Sequence, residues 1–175
     1  MKFGKLRLRD RLLSMVDWKG NETVLDIGTG RGLLMIGAAK KLTSGKSMGI
    51  DIWRPGDMHA NTLQNTLENA RLEGVLDKVE VKNADVQKMP FPDGSFDVVL
   101  SNLCLHNIGS KNGRDQACRE IARVLKSGGK AIICDAIHLK DYAEIFQKKG
   151  MRVEILRGRF FENAMPWNKI LEASK

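Results

Sequence analysis

The stretch VLDIGTGRG, residues 24 to 32, decides how the rest of the chain is read. Val24 to Ile27 has the density of branched apolar side chains that a buried strand requires, with Asp26 as its polar exception. It runs straight into Gly28, Gly30 and Gly32, glycines at alternate positions. Glycines at the carboxyl end of a strand permit a tight turn with positive φ and leave the backbone bare for a ligand. A dinucleotide fingerprint, G-x-G-x-x-G, would put its third glycine at position 33. Position 33 is Leu. The third glycine comes one residue early, giving G-x-G-x-G with an acid, Asp26, two residues before it.

Outward from this turn, strands and helices alternate. The spacing of Leu6, Leu8, Leu12, Leu13 and Val16 predicts an amphipathic helix over 6–18. A strand over 23–28 and a helix from Arg31 to Leu42 follow, then a strand over 47–53, a helix over 61–74 closed by Gly74, and a strand over 78–85. MPFPDGSF (89–96), dense in Pro and Asp-Gly, predicts a turn into a strand over 96–106. Ala117, Ile121, Val124 and Leu125 share one face of a helix over 113–129 that ends at Gly128-Gly129. A strand over 130–137, a helix over 139–150 and strands over 151–159 and 167–173 complete the set. About eight residues separate the last two strands, too few for a helical crossover, so they pair antiparallel. The predicted fold is α/β: a Rossmann-like, doubly wound sheet, mostly parallel, with an antiparallel C-terminal edge hairpin and helices on both faces. Residues 1–175 form one domain, a basic arm over 1–20 and a core over 21–175. Ligands of such sheets bind beyond the carboxyl ends of the strands.

Composition limits the function classes. With 42% hydrophobic and 29% charged residues in 175, the chain is that of a globular domain and not of a disordered one. No apolar run approaches the ~20 residues that span a bilayer. The start, MKFGKLRLRDRLL, lacks the apolar run and cleavage site of a secretory signal, and its nearness to the first motif leaves a preceding segment open. Cys104, Cys118 and Cys134 are odd in number and lack CxxC spacing, which predicts free thiols in a reducing compartment and a cytoplasmic protein. The formal net charge is +8, and residues 1–19 hold six Lys/Arg against Asp10 and Asp17. Two readings of that arm stand: a solvated helix face, or a contact for nucleic acid, anionic lipid or an acidic metabolite.

With GTGRG come four further pieces in order: Asp51 in GIDIW, 23 residues after Gly28; Asp85 in NADV; MPFPDGSFDVV (89–99); and ARVLKSGGK (122–130). Together these resemble the class I S-adenosylmethionine-dependent methyltransferases, in the branch of small single-domain enzymes acting on small molecules. The resemblance runs from Val24 to the final strand. It implies S-adenosylmethionine as cofactor, S-adenosylhomocysteine as product and no metal. It implies that Asp26 and the backbone of Gly28, Thr29, Gly30 and Gly32 orient the methionine end. Asp51 would accept from the ribose hydroxyls, and Asp85 with the Val86 N–H would read the adenine edge. Ser101 and Asn102 would reach the cofactor's amino group and the reacting methyl. Ile52 and Trp53 follow the ribose acid, and Trp53 either stacks on adenine or packs beneath the IWRPGDMHAN connection. For Asp51 the alternative is a helix N-cap. The two later pieces are structural.

SNLCLHNI (101–108) follows the fourth strand, where the family keeps its reaction-side residues. An Asn/Asp-Pro-Pro-aromatic motif for planar amine nitrogens is absent, and so is a Pro-Cys pair for pyrimidine carbon-5 chemistry. Leu-His-Asn instead resembles the Leu-His-His of small-molecule enzymes. His106 is the one candidate general base, since histidine titrates near neutral pH; the alternative is a packed histidine with no proton transfer. His59, His106 and His138 all follow strand ends, but their spacing is not that of metal ligands. No inserted helix closes the site, so either the acceptor is large, or the basic arm, another subunit or the apolar loop FFENAMPW (160–167) covers it. That loop, with Phe160, Phe161, Met165 and Trp167, is a candidate lid or homo-oligomer contact. The rivals to a small-molecule methyltransferase are an RNA methyltransferase using the basic arm and a non-catalytic S-adenosylmethionine-binding module. A nicotinamide dehydrogenase is disfavoured by Leu33.

Overall fold

A computed structural model of the chain describes residues 2–53, 62–157 and 169–175. Its strands are β1 (Thr23–Ile27), β2 (Lys46–Asp51), β3 (Val79–Asn83), β4 (Phe96–Asn102), β5 (Leu125–Asp135), β6 (Arg152–Arg157) and β7 (Lys169–Ser174). The helices are α1 (Lys2–Ser14), α2 (Leu33–Ala39), α3 (Leu63–Leu72), α4 (Lys111–Val124) and α5 (Leu139–Lys148). The strands form one sheet in the order β3-β2-β1-β4-β5-β7-β6. β1 to β5 pair in parallel, and β7 pairs antiparallel with both β5 and β6. The expected hairpin pairing is present, with one refinement. β7 enters between β5 and β6, so the edge strand β6 runs in the same direction as β5. The helical crossover α5 carries the chain two places beyond β5, and the returning strand β7 fills the slot between.

Alternate residues of a strand face opposite ways, and the central strands are apolar on both faces. Leu25, Ile27, Val99 and Ile133 pack with Ile121 of α4 and Tyr142 and Phe146 of α5. Val24, Leu100, Ile132 and Cys134 pack on the other face with Leu8, Leu12 and Leu13 of α1 and Leu34 and Ala38 of α2. A smaller cluster joins Met35 and Ile36 of α2 to Ala70 of α3 and Val79 of β3. Burial on both faces is why these strands read as near-continuous apolar runs.

Several boundaries differ from the sequence expectation, those of α1, α4 and β5 among them. The helix expected over 6–18 ends at Ser14, where the indole N–H of Trp18 donates to the Leu13 carbonyl at 2.7 Å and satisfies one of the helix's last acceptors. The helix expected to run to Gly128-Gly129 ends at Val124. The carbonyls of Arg123 and Val124 accept the N–H groups of Gly94 and Ser95, so the Asp-Gly turn, and not the glycine pair, closes it. Gly128 and Gly129 lie within β5 and pair with the backbone of Lys175. The same helix begins two residues earlier than expected, at a Ser110 cap whose hydroxyl accepts the Gly113 N–H at 3.0 Å. The apolar 160–167 loop, with its lid or oligomer contact, and the connection holding His59 lie outside the described residues.

The turn before β4 is held by two side chains of α4. Arg123 donates to the carbonyls of Met89 and Phe91 and pairs with Asp93 and Glu120, while Glu120 accepts the Met89 N–H at 2.8 Å. Arg123→Ala removes charge-assisted bonds to two carbonyls and leaves Glu120 with an unbalanced charge. We expect it to lower unfolding free energy in urea by about 2–3 kcal/mol. A loss under about half a kcal/mol would mean that the turn holds itself.

Candidate active site

The glycine turn is built around one buried carboxylate. Asp26, 2% exposed at the end of β1, accepts the Thr29 hydroxyl at 2.8 Å and the Met35 N–H at 2.9 Å. It therefore ties the turn to the first residues of α2. The N–H groups of Gly28 and Thr29 both donate to the Ile50 carbonyl of β2. Gly28 has φ +67, and a Cβ there would lie 2.3 Å from Sγ of Cys104. No other residue fits. Burial pushes the Asp26 carboxyl up to about 7, against the pull of Thr29 and Met35 and with a further push from Asp51.

A cavity of about 690 Å³ opens over this turn at the carboxyl ends of the strands. Of the expected cofactor residues, Asp26, Gly28, Thr29, Gly30 and Gly32 border it, as do Asp51, Ile52, Asp85, Val86 and Asn102. Asp51 accepts the Gly30 N–H and the Trp53 N–H, both at 2.9 Å, so it braces the turn. A carboxylate has about four lone-pair sites, which leaves it room for two hydroxyl donors. Asp85 accepts the Gln87 N–H at 2.8 Å and thereby sets the turn that carries Val86 into the wall. Asn102 brings a buried Oδ1 with no partner among the described residues.

Two expected residues are not brought to the cavity. Ser101 is fully buried, and its hydroxyl donates to the Ile27 carbonyl at 3.3 Å; alternation along β4 turns it away from the wall that Asn102 joins. Trp53 has φ 52, which swings it out of line with β2, and Ile52, 39% exposed, borders the space instead. Leu103 (φ 54) and His138 (φ 67) are likewise left-handed residues just beyond β4 and β5. Each such residue costs of order 1–3 kcal/mol and needs its surroundings to hold it.

His106 sits on a single 3₁₀ turn, Leu105–Asn107, beside the cavity wall formed by Cys104 and Asn107. Its Nδ1 lies 2.5 Å from Oδ1 of Asp135, and its N–H donates to Oδ2 of the same carboxylate at 3.1 Å. Asp135 ends β5 and is fully buried; burial pushes its carboxyl up, and His106 and the Ala136 N–H pull it back. The pair fixes the histidine's tautomer, with Nδ1 facing the carboxylate and Nε2 left to act. Asp135 was not picked out from the sequence, although an acid closing the apolar run AIIC at a strand end was a usable signal. Of the covers the sequence left open, the basic arm is at the site as α1. Its Lys5, Leu6, Leu8 and Arg9 border the same cavity. Among the described residues, no helix is long and apolar enough to cross a membrane.

Known proteins resemble this chain in sequence and in fold. The family described as "Methyltransferase domain" matches residues 25–133. The chain is 31% identical over 131 residues to the methyltransferase GfsG of Streptomyces halstedii, covering 75% of this chain and 44% of that protein. It is 29% identical over 136 residues to the ubiquinone/menaquinone biosynthesis C-methyltransferase UbiE of Pectobacterium carotovorum, covering 77% and 51%. The chain thus spans about half the length of these curated relatives. Its fold is similar to that of a SAM-dependent methyltransferase structure from Aquifex aeolicus, with TM-score 0.74, 21% identity, and 97% and 91% of the two chains covered.

The buried acid at the centre of the turn sets a pH dependence. The Asp26 carboxyl has a folded pKa of about 7 against an ordinary 3.8. Its contribution to stability is therefore fully present below about 3.8 and is lost as pH rises through 7. We expect Asp26→Asn to melt at a higher temperature than the native chain at pH 8, with the difference shrinking below pH 5. An equal difference at every pH would place the Asp26 proton affinity near its ordinary value.

Proposed function

We propose that this chain, which belongs to the methyltransferase domain family, is an S-adenosylmethionine-dependent enzyme that methylates a small molecule. The observation that carries the reading is the convergence of Asp51, Asp85 and Asn102 on one cleft beside the glycine turn. Carboxylates at two neighbouring strand ends suit the hydroxyl and amino donors of a nucleoside. The unpartnered Asn102 Oδ1 and the Asp26 carboxylate suit an ammonium group. The bare backbone at Gly28 and Gly30 lets the methionine end lie close.

The cofactor, when bound, supplies a methyl group on a sulfonium, already electrophilic. The chain's task is then to hold the acceptor atom in line with that methyl, which can be worth ~7–11 kcal/mol of the barrier. It must also receive the proton that the acceptor gives up. His106 takes it at Nε2, and Asp135 stabilises the imidazolium across the Nδ1–H bond. His106 lies between Cys104 and Asn107, which border the cavity, and does not itself border it. Asp51, Asp85 and Val86 hold the nucleoside. Ser101 and Trp53 keep structural parts, at the β1–β4 seam and at the exit of β2.

A small acceptor is supported by α1, whose Leu8, Leu12 and Leu13 anchor it to the sheet while Lys5 and Arg9 turn toward the cavity. The basic residues nearest the site thus border a half-open recess and not a flat surface. One relative is named as a C-methyltransferase of ubiquinone and menaquinone biosynthesis, which is in keeping with a small-molecule acceptor.

Titration calorimetry tests the cofactor. Micromolar binding of S-adenosylmethionine and S-adenosylhomocysteine with none of NAD is expected, and binding of neither sulfur compound would end the proposal. Asp51→Ala should weaken cofactor binding by about 1–3 kcal/mol. With an acceptor in hand, His106→Ala should lower kcat about 10²–10⁴-fold at unchanged cofactor affinity. A parallel loss of cofactor affinity would make His106 a cofactor residue and not a base.

A further inference from the structure

The cavity does not stop at the strand ends. Past Gly32 it continues over α2, with α1 on one side and α3 on the other. This extension differs in chemistry from the half that holds Asp26, Asp51 and Asp85. Leu6, Ile52 and Leu72, 40%, 39% and 69% exposed, are among the few large apolar side chains left in water by the described residues, and all three border this one cavity. Leu33 and Ile36 of α2 join them.

The cations of the extension are unevenly neutralised. Arg9 pairs with Asp10 at 2.7 Å, and Glu73 pairs with Lys40 at 2.5 Å. Lys5 and Arg31 border the cavity with no ion-pair partner among the described residues. The acid-lined half therefore suits a ligand with cationic and donor groups, and the extension suits an apolar body that carries negative charge. An anion beside an apolar, partly desolvated wall is attracted more strongly than in open water. Among the described residues, no Phe, Tyr or Trp that could serve as a stacking platform for single-stranded nucleic acid borders the cavity.

Resting on the methyltransferase reading, we propose that the methyl acceptor is an amphiphile with an apolar body and an anionic group. The body lies against Leu6, Ile36 and Leu72, and the anion is received by Lys5 and Arg31.

The test uses the full chain saturated with S-adenosylhomocysteine and two probes of equal tail length, dodecanoate and dodecyltrimethylammonium, each below its self-association concentration. Calorimetry should give one equivalent of dodecanoate, bound at least about tenfold more tightly than the ammonium. Lys5→Glu should abolish that preference, Leu72→Glu should weaken both probes, and Lys148→Glu on the distant α5 should leave the preference intact. Equal affinity for the two probes, or a preference that survives Lys5→Glu, would overturn the proposal. Two further outcomes would also overturn it. If Lys5→Glu weakens S-adenosylhomocysteine but not adenosine, these cations serve the cofactor's own carboxylate. If a short single-stranded RNA competes with dodecanoate in a Lys5-dependent way, the extension is a nucleic-acid site. Failure to bind S-adenosylhomocysteine would sink the methyltransferase reading alone, and the titration of the unliganded chain would still test the extension.

Discussion

The structure depends on a carboxylate held where carboxylates are costly. Asp26 sits at the end of the central strand with 2% of its surface exposed, and its hydrogen bonds to Thr29 and Met35 join the last residue pair of β1 to the glycine turn and to α2. Without that acceptor, the Thr29 hydroxyl and the Met35 N–H would be buried donors with no partner. The cost appears as a proton affinity raised to about 7. An acid in that condition is costly to the fold, and a cationic group in the adjoining cavity would supply the compensating charge that the fold lacks. Asp51, which also braces the turn through the Gly30 N–H, adds to the same unrelieved negative charge.

The rim of the sheet is irregular where the fold meets its ligand. Trp53, Leu103 and His138 adopt left-handed backbone beyond β2, β4 and β5, and of the three Leu103 borders the cavity. Leu103 turns the chain directly after Asn102, the last residue of β4. At β4 this lets Asn102 and Cys104 border one space while Leu103 N–H donates to the Cys134 carbonyl of β5. The His106–Asp135 pair then bridges the loops after β4 and β5. Strain distributed along one edge and absorbed by hydrogen bonds between neighbouring exits is how a rigid sheet carries a shaped site.

Helix α1 changes the character of the whole cleft. Its leucines complete the core on one face of the sheet, and Gly37 of α2 allows Arg9 and Leu13 to come close, since a Cβ there would lie 2.7 Å from Arg9 Cδ. That close docking brings Lys5 and Leu6 to the cavity border. A helix whose sequence reads as a basic arm thus becomes part of a wall, with its charge directed at whatever enters.

Features set by local chemistry were legible in the sequence. The alternation of strands and helices follows from apolar periodicity, and the turn at Gly28 from three glycines after a buried run. Asp26, Asp51, Asp85 and Asn102 were named through the family resemblance that these motifs carry, each within a few residues of an element boundary, and all four border the cavity. Contacts between segments far apart in the chain were not legible. Asp135 meets His106 across 29 positions, the Gly94 and Ser95 N–H groups end α4 across about thirty, and Ser101 faces Ile27 across 74. Whether Trp53 or Ile52 borders the cavity depends on one φ value, and whether α1 is an arm or a wall depends on Gly37 and the leucines it meets. Periodicity specifies which face of an element is apolar. Which partner covers that face, and which side chain its neighbours turn toward the ligand, only the packed sheet decides.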